Sequence, residues 1–451
     1  MNWFVRRIYA DAAASMPVSR ASQLRFEELS ELFGNPGGVH KEAVAAKAAL
    51  ESARKEVADI IGAHADEIVF TSGGTEGNNL AIAGVLRPYL KSGEPAHAVT
   101  LRIEHPSVLE PLMALEDEGL SVTYMPVGEE GVASAKEIGE SIQDDTALIS
   151  VQMINSEIGT LQPVHDIAKE VRRARKARAA SAQGDALKSL GVKASPLVFH
   201  TDASQAPLWL PLNVEKLGVD LMTLDGQKFG APRGSGVLFV RRGVALQPLI
   251  RGGGQERGLR SGTENIALAG AFALALADAQ TGAERRAKRI TDVRNFLLEE
   301  IVRRIPDAIL NGSPSTSLGA IRSTRIANNL NISIPGLDGQ MAVVALDAIG
   351  IAASTRSACG TDDEEPSYVV ASLGPAPTPT SALQYGRNTS PSSNVSAKDM
   401  MPKLVSGPAR GFKKKERAQN AIRFTLLPTA TYAQASRVAR ALAQATVLYR
   451  S

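Results

Sequence analysis

A single cysteine, Cys359, occurs among 451 residues. An intramolecular disulfide is therefore excluded, which suits a reducing compartment. No apolar run reaches the length of a membrane span. Net charge is only +3, so no strong field draws the chain to a membrane, and direct binding to nucleic acid is not expected. The start, Met1-Asn2-Trp3-Phe4-Val5-Arg6-Arg7, lacks the apolar stretch that follows the charges of a signal peptide. The cytoplasm is the expected location. What is present is 44% hydrophobic and 22% charged. That is ample for one large core and a second, smaller one.

From about residue 40 to 240, strand and helix signals alternate. Strands are expected over 68–71, 98–103, 122–125, 147–153, 197–201, 221–224 and 236–241. Helices are expected over 41–61, 80–90, 107–118 and 167–180. Such alternation predicts an α/β fold, a mostly parallel sheet with helices on both faces. After residue 263 the pattern changes to a helix over 264–305, a strand over 329–334, a helix over 339–349, strands over 351–354 and 421–427, and a helix over 432–449. This reads as a smaller α+β domain. The expected division is 14–262 and 263–451, with 1–13 packing on the second.

Two stretches do not fit a compact domain. Residues 177–196 are rich in Ala, Ser, Gly and Lys. Residues 375–420 are rich in Pro, Ser and Thr, with eight Lys and Arg against two Asp and Glu, a net of +6. That composition predicts a solvated, weakly ordered insert, with docking of an acidic partner or RNA as the alternative.

The chemistry concentrates beyond strand ends, where open α/β sheets bind ligands. Asp225-Gly226-Gln227-Lys228-Phe229-Gly230 places a lysine just after an apolar strand. Asp202-Ala203-Ser204-Gln205 places an aspartate at the end of a neighbouring one. A lysine can form a Schiff base with an aldehyde cofactor, and an aspartate can keep a pyridinium nitrogen protonated. Pyridoxal phosphate requires those two groups of a protein. Upstream, Thr71-Ser72-Gly73-Gly74-Thr75-Glu76-Gly77-Asn78-Asn79 leads from a strand into a helix. Free amides and the helix dipole suit a phosphate there. Cys359 lies in Ser354-Thr355-Arg356-Ser357-Ala358-Cys359-Gly360-Thr361-Asp362-Asp363-Glu364-Glu365. Those polar, small neighbours predict an exposed loop and an accessible thiol.

Together these residues resemble the cysteine desulfurases, in the class V group of fold-type-I pyridoxal-phosphate transferases. The likeness also rests on Tyr9-Ala10-Asp11-Ala12-Ala13-Ala14, Gly34-Asn35-Pro36, Glu104-His105, Asn155-Ser156-Glu157-Ile158-Gly159-Thr160 and His200-Thr201-Asp202. It continues in Gly252-Gly253-Gly254-Gln255-Glu256-Arg257-Gly258, Arg260-Ser261-Gly262-Thr263, Ser357-Ala358-Cys359 and Ala421-Ile422-Arg423-Phe424.

The resemblance implies pyridoxal 5'-phosphate as cofactor and L-cysteine as substrate, with Lys228, His105 and Cys359 catalytic. Lys228 would carry the cofactor and His105 would stack on its ring. Asp202 would pair with the ring nitrogen and Gln205 with the phenolic oxygen. Gly74, Thr75 and Gln227 would hold the phosphate. Thr263 would reach the phosphate of a neighbouring subunit, which implies a homodimer. Asn35, Ser156 and Arg423 would bind the substrate, Arg423 by its carboxylate. Sulfur would pass through Cys359 to an acceptor, an iron–sulfur scaffold protein or a tRNA-thiolating enzyme. No metal is expected. Selenocysteine lyase, another reaction on the same cofactor, and a scaffold without turnover remain as alternatives. Three features depart from the pattern: Ser156 where asparagine is usual, Asp225 where serine or asparagine is usual, and the basic insert. Asp225 is expected to point away from the phosphate or to meet Arg233.

Overall fold

The computed structural model describes residues 7–182, 196–314, 324–356, 366–374 and 414–450. Its strands in chain order are β1 (Ile8–Tyr9), β2 (Ile68–Thr71), β3 (His97–Leu101), β4 (Ser121–Met125), β5 (Thr146–Ser150), β6 (Val198–Asp202), β7 (Leu221–Asp225) and β8 (Gly236–Val240). They continue with β9 (Ile309–Leu310), β10 (Asn329–Ser333), β11 (Ile351–Ala352) and β12 (Ala421–Thr425). Seven of them form one sheet in the order β2-β8-β7-β6-β5-β3-β4. All neighbours are parallel except those of β8, which runs antiparallel to β2 and β7.

The strands are nearly continuous apolar runs, because helices cover both faces. Alternate residues fall into two separate cores. Ile149, Phe199, Met222 and Val237 face one, with the helices Lys41–Ile61 and Ile266–Gln280. Leu148, Val198, Leu221 and Leu238 face the other, with the helix Gly74–Ser92. This period of two is what lets both faces be buried at once. The carboxyl ends of β2, β3, β6 and β7 share one edge, and the site forms there.

The rest is a three-stranded antiparallel sheet, β12-β10-β9, and a parallel pair, β1 with β11. The amides of Ala12 and Thr425 exchange bonds with Thr425 O and Ala10 O. Residues 8–13 are thus sewn between β11 and β12. Among the described residues no single helix is long and apolar enough to cross a membrane.

Three expectations change. The helix expected over 264–305 is two helices, Ile266–Gln280 and Ala283–Arg304, bent by 66°. Gly282 at the break has φ +67°, a left-handed turn that glycine adopts without a steric cost. The helix Val164–Ala182 extends into the stretch expected to be loose, and 183–195 lie outside the described residues. The end of the basic insert is folded. Lys414–Gln419 is a helix with Ala418 buried, and Arg417 Nε donates to Asn311 Oδ1 at 2.6 Å. Residues 375–413 lie outside the described residues.

Candidate active site

The helix Gly74–Ser92 starts at Gly74, six residues before the expected 80, so the glycine turn is itself the first helical turn. The first intrahelical bond there runs from Gly77 N to Gly73 O at 3.1 Å. The amides of Gly74, Thr75 and Glu76 therefore have no acceptor within the helix. Gly73 has φ +151°, and β8 crowds it. A β-carbon on Gly236 would lie 2.6 Å from Gly73 Cα. Glu76 takes the Ser72 amide at 2.7 Å and Arg260 Nε at 2.9 Å, so its charge is turned from the mouth of the turn.

Lys228 ends the short helical turn Gly226–Lys228 that follows β7. Its Nζ donates to Ala14 O at 2.7 Å, and Gln205 Nε2 donates to Ala13 O at 3.0 Å. Asp202, at the end of β6, is fixed on both oxygens. Oδ1 accepts from Ser204 N at 2.9 Å and Oδ2 from Asn78 Nδ2 at 2.8 Å. Asn78 is wholly buried and also donates to Ser107 Oγ at 2.8 Å.

His105 caps the helix Pro106–Asp117, its Nδ1 accepting from Ser107 N at 3.1 Å. That contact places the neutral ring's proton on Nε2. Burial lowers its pKa, with Asp202 opposing and Lys228 assisting. His200, wholly buried between Ser150 Oγ (2.9 Å) and Thr223 Oγ1 (3.0 Å), is held down to about 4, again by burial. Glu104 is buried, with one oxygen on the Gln152 amide at 2.8 Å and the other without a partner. Burial raises its pKa well above the usual range.

Arg423 is neither on the surface nor after a strand. It lies within β12 at 1% exposure, Nη2 on Asp11 Oδ1 at 2.7 Å and Nη1 on Ser156 O at 3.3 Å. Its Nε has no partner among the described residues. Ser156 meets Arg423 through its carbonyl, which any residue type would supply. Asn35 is exposed and spends its side-chain oxygen on the Gly37 amide at 2.9 Å. Thr263 is exposed in the segment before Ile266. Cys359 lies outside the described residues.

The expectation for Asp225 changes. It accepts from Gln227 N at 3.3 Å and from Gln227 Nε2 at 3.1 Å, while Arg233 donates to Ser15 Oγ at 3.1 Å. Gln227 thus turns its amide to Asp225. Asp11, Asn78 and Ser204 were assigned no role in the sequence reading. All three stood within the quoted motifs, yet only the fold shows what they touch.

The family model for aminotransferase class-V matches residues 8–180 and 183–379. The chain belongs to this family. The class-V chain is 37% identical over 369 residues to a cysteine desulfurase IscS of Dictyoglomus turgidum, covering 82% of this chain and 86% of the relative. Among solved structures it is similar to a NifS-like protein, with TM-score 0.76, 26% identity, and coverage of 98% of this chain and 100% of that one. It is also similar to SspA in complex with cysteine, with TM-score 0.69, 27% identity, and coverage of 94% and 100%. Members of the class-V family, cysteine desulfurases among them, are pyridoxal-phosphate enzymes.

Proposed function

We propose that this protein is a cysteine desulfurase that converts L-cysteine to L-alanine and carries the released sulfur as a persulfide on Cys359. The observation that carries the reading is the meeting of Lys228, Asp202 and the Gly73-Gly74 turn at one sheet edge. The curated relatives and the solved structure that holds cysteine support the substrate.

The residues fit pyridoxal phosphate. Ser204 Oγ and Asn78 Oδ1 are buried without partners beside the turn and Asp202. A β-carbon on Gly74 would fill space next to Ser204 and Asp225. Gly74, Thr75 and Ser204 would hold the phosphate, Asp202 the ring nitrogen, Gln205 the phenolic oxygen and His105 the ring face. When bound, this cofactor draws electrons from the substrate carbon skeleton, which makes the Cα proton acidic and lets sulfur leave Cβ.

Lys228 moves the Cα proton, and its short turn off a rigid strand keeps Nζ in place. Asn78 and the Ser204 amide hold Asp202 in one orientation. Arg423 binds the substrate carboxylate, which competes with Asp11 for the guanidinium. The Cys359 thiolate attacks the substrate sulfur. The carbon–sulfur bond breaks, its electron pair stays with the carbon skeleton, and a proton completes alanine. The persulfide then passes to an acceptor protein, because the chain has no second cysteine. Exposed Thr263 suits a contact to the phosphate of a second copy, and a homodimer and a cytoplasmic setting belong to the same reading. The pairing of residues 8–13 with β11 and β12 supports a division at about 262, with the first 13 residues joined to the second domain.

Borohydride should fix the cofactor to Lys228, and a modified peptide carrying another lysine would overturn the assignment. Alanine release from cysteine, run beside selenocysteine, separates a desulfurase from a selenocysteine lyase, which the same groups would serve.

A further inference from the structure

Asp225 brings a carboxylate to a place built for an anion. A β-carbon on Gly74 would lie 3.4 Å from Asp225 Oδ2 and 3.1 Å from Ser204 Oγ. The two side chains and the first turn of a 19-residue helix therefore share one small space. Ser204 is 8% exposed, and its hydroxyl has no partner among the described residues. Buried hydroxyls are ordinarily paired, so this one awaits an acceptor. A phosphate ester is close to a dianion at neutral pH. An ionised Asp225 would face it with a like charge in a buried setting, where repulsion is poorly screened.

The surroundings decide how that conflict is relieved. Lys228, on the same turn, favours the ionised form, as do the two Gln227 contacts at 3.1 and 3.3 Å. Burial of Asp225, 8% exposed, and the Asp202 carboxylate on β6 favour the neutral form, and the net direction is upward. His105, from the element after β3, is a neutral ring. Glu76 of the helix is committed to Ser72 and Arg260. From the β8 side come Ser235 and Gly236, which are uncharged.

We propose that Asp225 takes up one proton as the cofactor's phosphate binds and meets that phosphate as a hydrogen-bond donor. A carboxylic acid has the donor that an ionised carboxylate lacks. Cofactor retention is thereby tied to pH, through a residue three positions before Lys228 at the start of the same turn. The inference rests on the cofactor reading above.

The test uses pyridoxine 5'-phosphate, which has an alcohol in place of the aldehyde and forms no Schiff base with Lys228. Its Kd for the cofactor-free protein is measured by calorimetry from pH 7 to 9, in buffers of different ionisation heat. In the wild type, Kd should rise about tenfold per pH unit with uptake of about one proton. Asp225→Asn, whose amide needs no proton to donate, should take up about one proton fewer than the wild type and show a correspondingly shallower profile, since protonation of the ring nitrogen towards pH 9 is common to both. Asp225→Ser serves as a second variant should the first fold poorly. Equal slopes and equal proton uptake in wild type and both variants would overturn the proposal and leave the cofactor reading standing. Absence of binding by wild type and variants alike, to this ligand and to pyridoxal phosphate, would remove both.

Discussion

Asp11→Asn separates the two tasks of Arg423. The guanidinium is 1% exposed and, among the described residues, has one charged partner, Asp11, at 2.7 Å, and a second contact to the Ser156 carbonyl at 3.3 Å. Removing one member of a buried ion pair costs about 3–5 kcal/mol, because the other charge is left uncompensated. Asp11 is 18% exposed, so water reaches the gap and the lower end applies, about 3 kcal/mol. The urea midpoint of the cofactor-loaded variant should fall accordingly. The substrate carboxylate meets no competitor in this variant, so KM for cysteine should fall and added substrate should restore more stability than in the wild type. Arg423→Ala should instead lose a charge-assisted pair to the substrate, about 1.5–3 kcal/mol, or roughly ten- to a hundredfold in kcat/KM. Urea unfolding followed by fluorescence, with steady-state alanine release, measures both. Wild-type kcat/KM in Arg423→Ala, or an Asp11→Asn variant with an unchanged midpoint and a raised KM, would refute the paired role.

Three further outcomes are expected. Cys359→Ser should keep its cofactor absorbance yet make no persulfide and release no sulfide; full turnover would place the nucleophile elsewhere. His200 should cost stability in acid. Its native pKa of about 4 lies below the ordinary 6.5, so the unfolded chain binds the proton first and stability falls as pH drops from 6.5 towards 4. The loss is about 3 kcal/mol in all, and His200→Gln should flatten the urea midpoint against pH over that window. Replacing residues 375–413 by a short linker should leave alanine production with a small-thiol acceptor near wild type. The join is short, since a β-carbon on Gly374 would touch the Lys414 side chain; collapse of the small-thiol reaction in a folded variant would give the insert a part in the site.

The legible parts of this protein are those that local chemistry writes. The helix Lys41–Ile61 lies where its apolar period ends in glycine, with Gly62 at φ +71° as the cap. The position of Asp202 and Lys228 at strand ends was legible because the apolar strands before them are. The helix break at Gly282 carries a local signal, Gln280-Thr281-Gly282, which the expectation of one helix over 264–305 passed over. The first turn at Gly74 read as loop, since two successive glycines disfavour a helix. The Asp11–Arg423 pair joins residues 412 apart, and no window of sequence shows such a partner. Asp225 was expected to point away from the phosphate or to meet Arg233. The nearer Gln227 amide, two residues on, satisfies it at a smaller cost in chain order.

The interlocking of residues 8–13 with β11 and β12 also sets an order of events during synthesis. Asp11 leaves the ribosome 412 residues before its arginine. At about 5–20 residues per second, that interval is roughly 20–80 s. The seven-stranded sheet can close in that time, but the carbonyls of Ala13 and Ala14, which receive Gln205 and Lys228, have no fixed place until β12 arrives. A chain cut short before residue 421 therefore owns Lys228 and Asp202 but lacks the strand that anchors the approach to them. Premature termination should yield an inert product rather than an uncoupled one that strips sulfur from cysteine without handing it on.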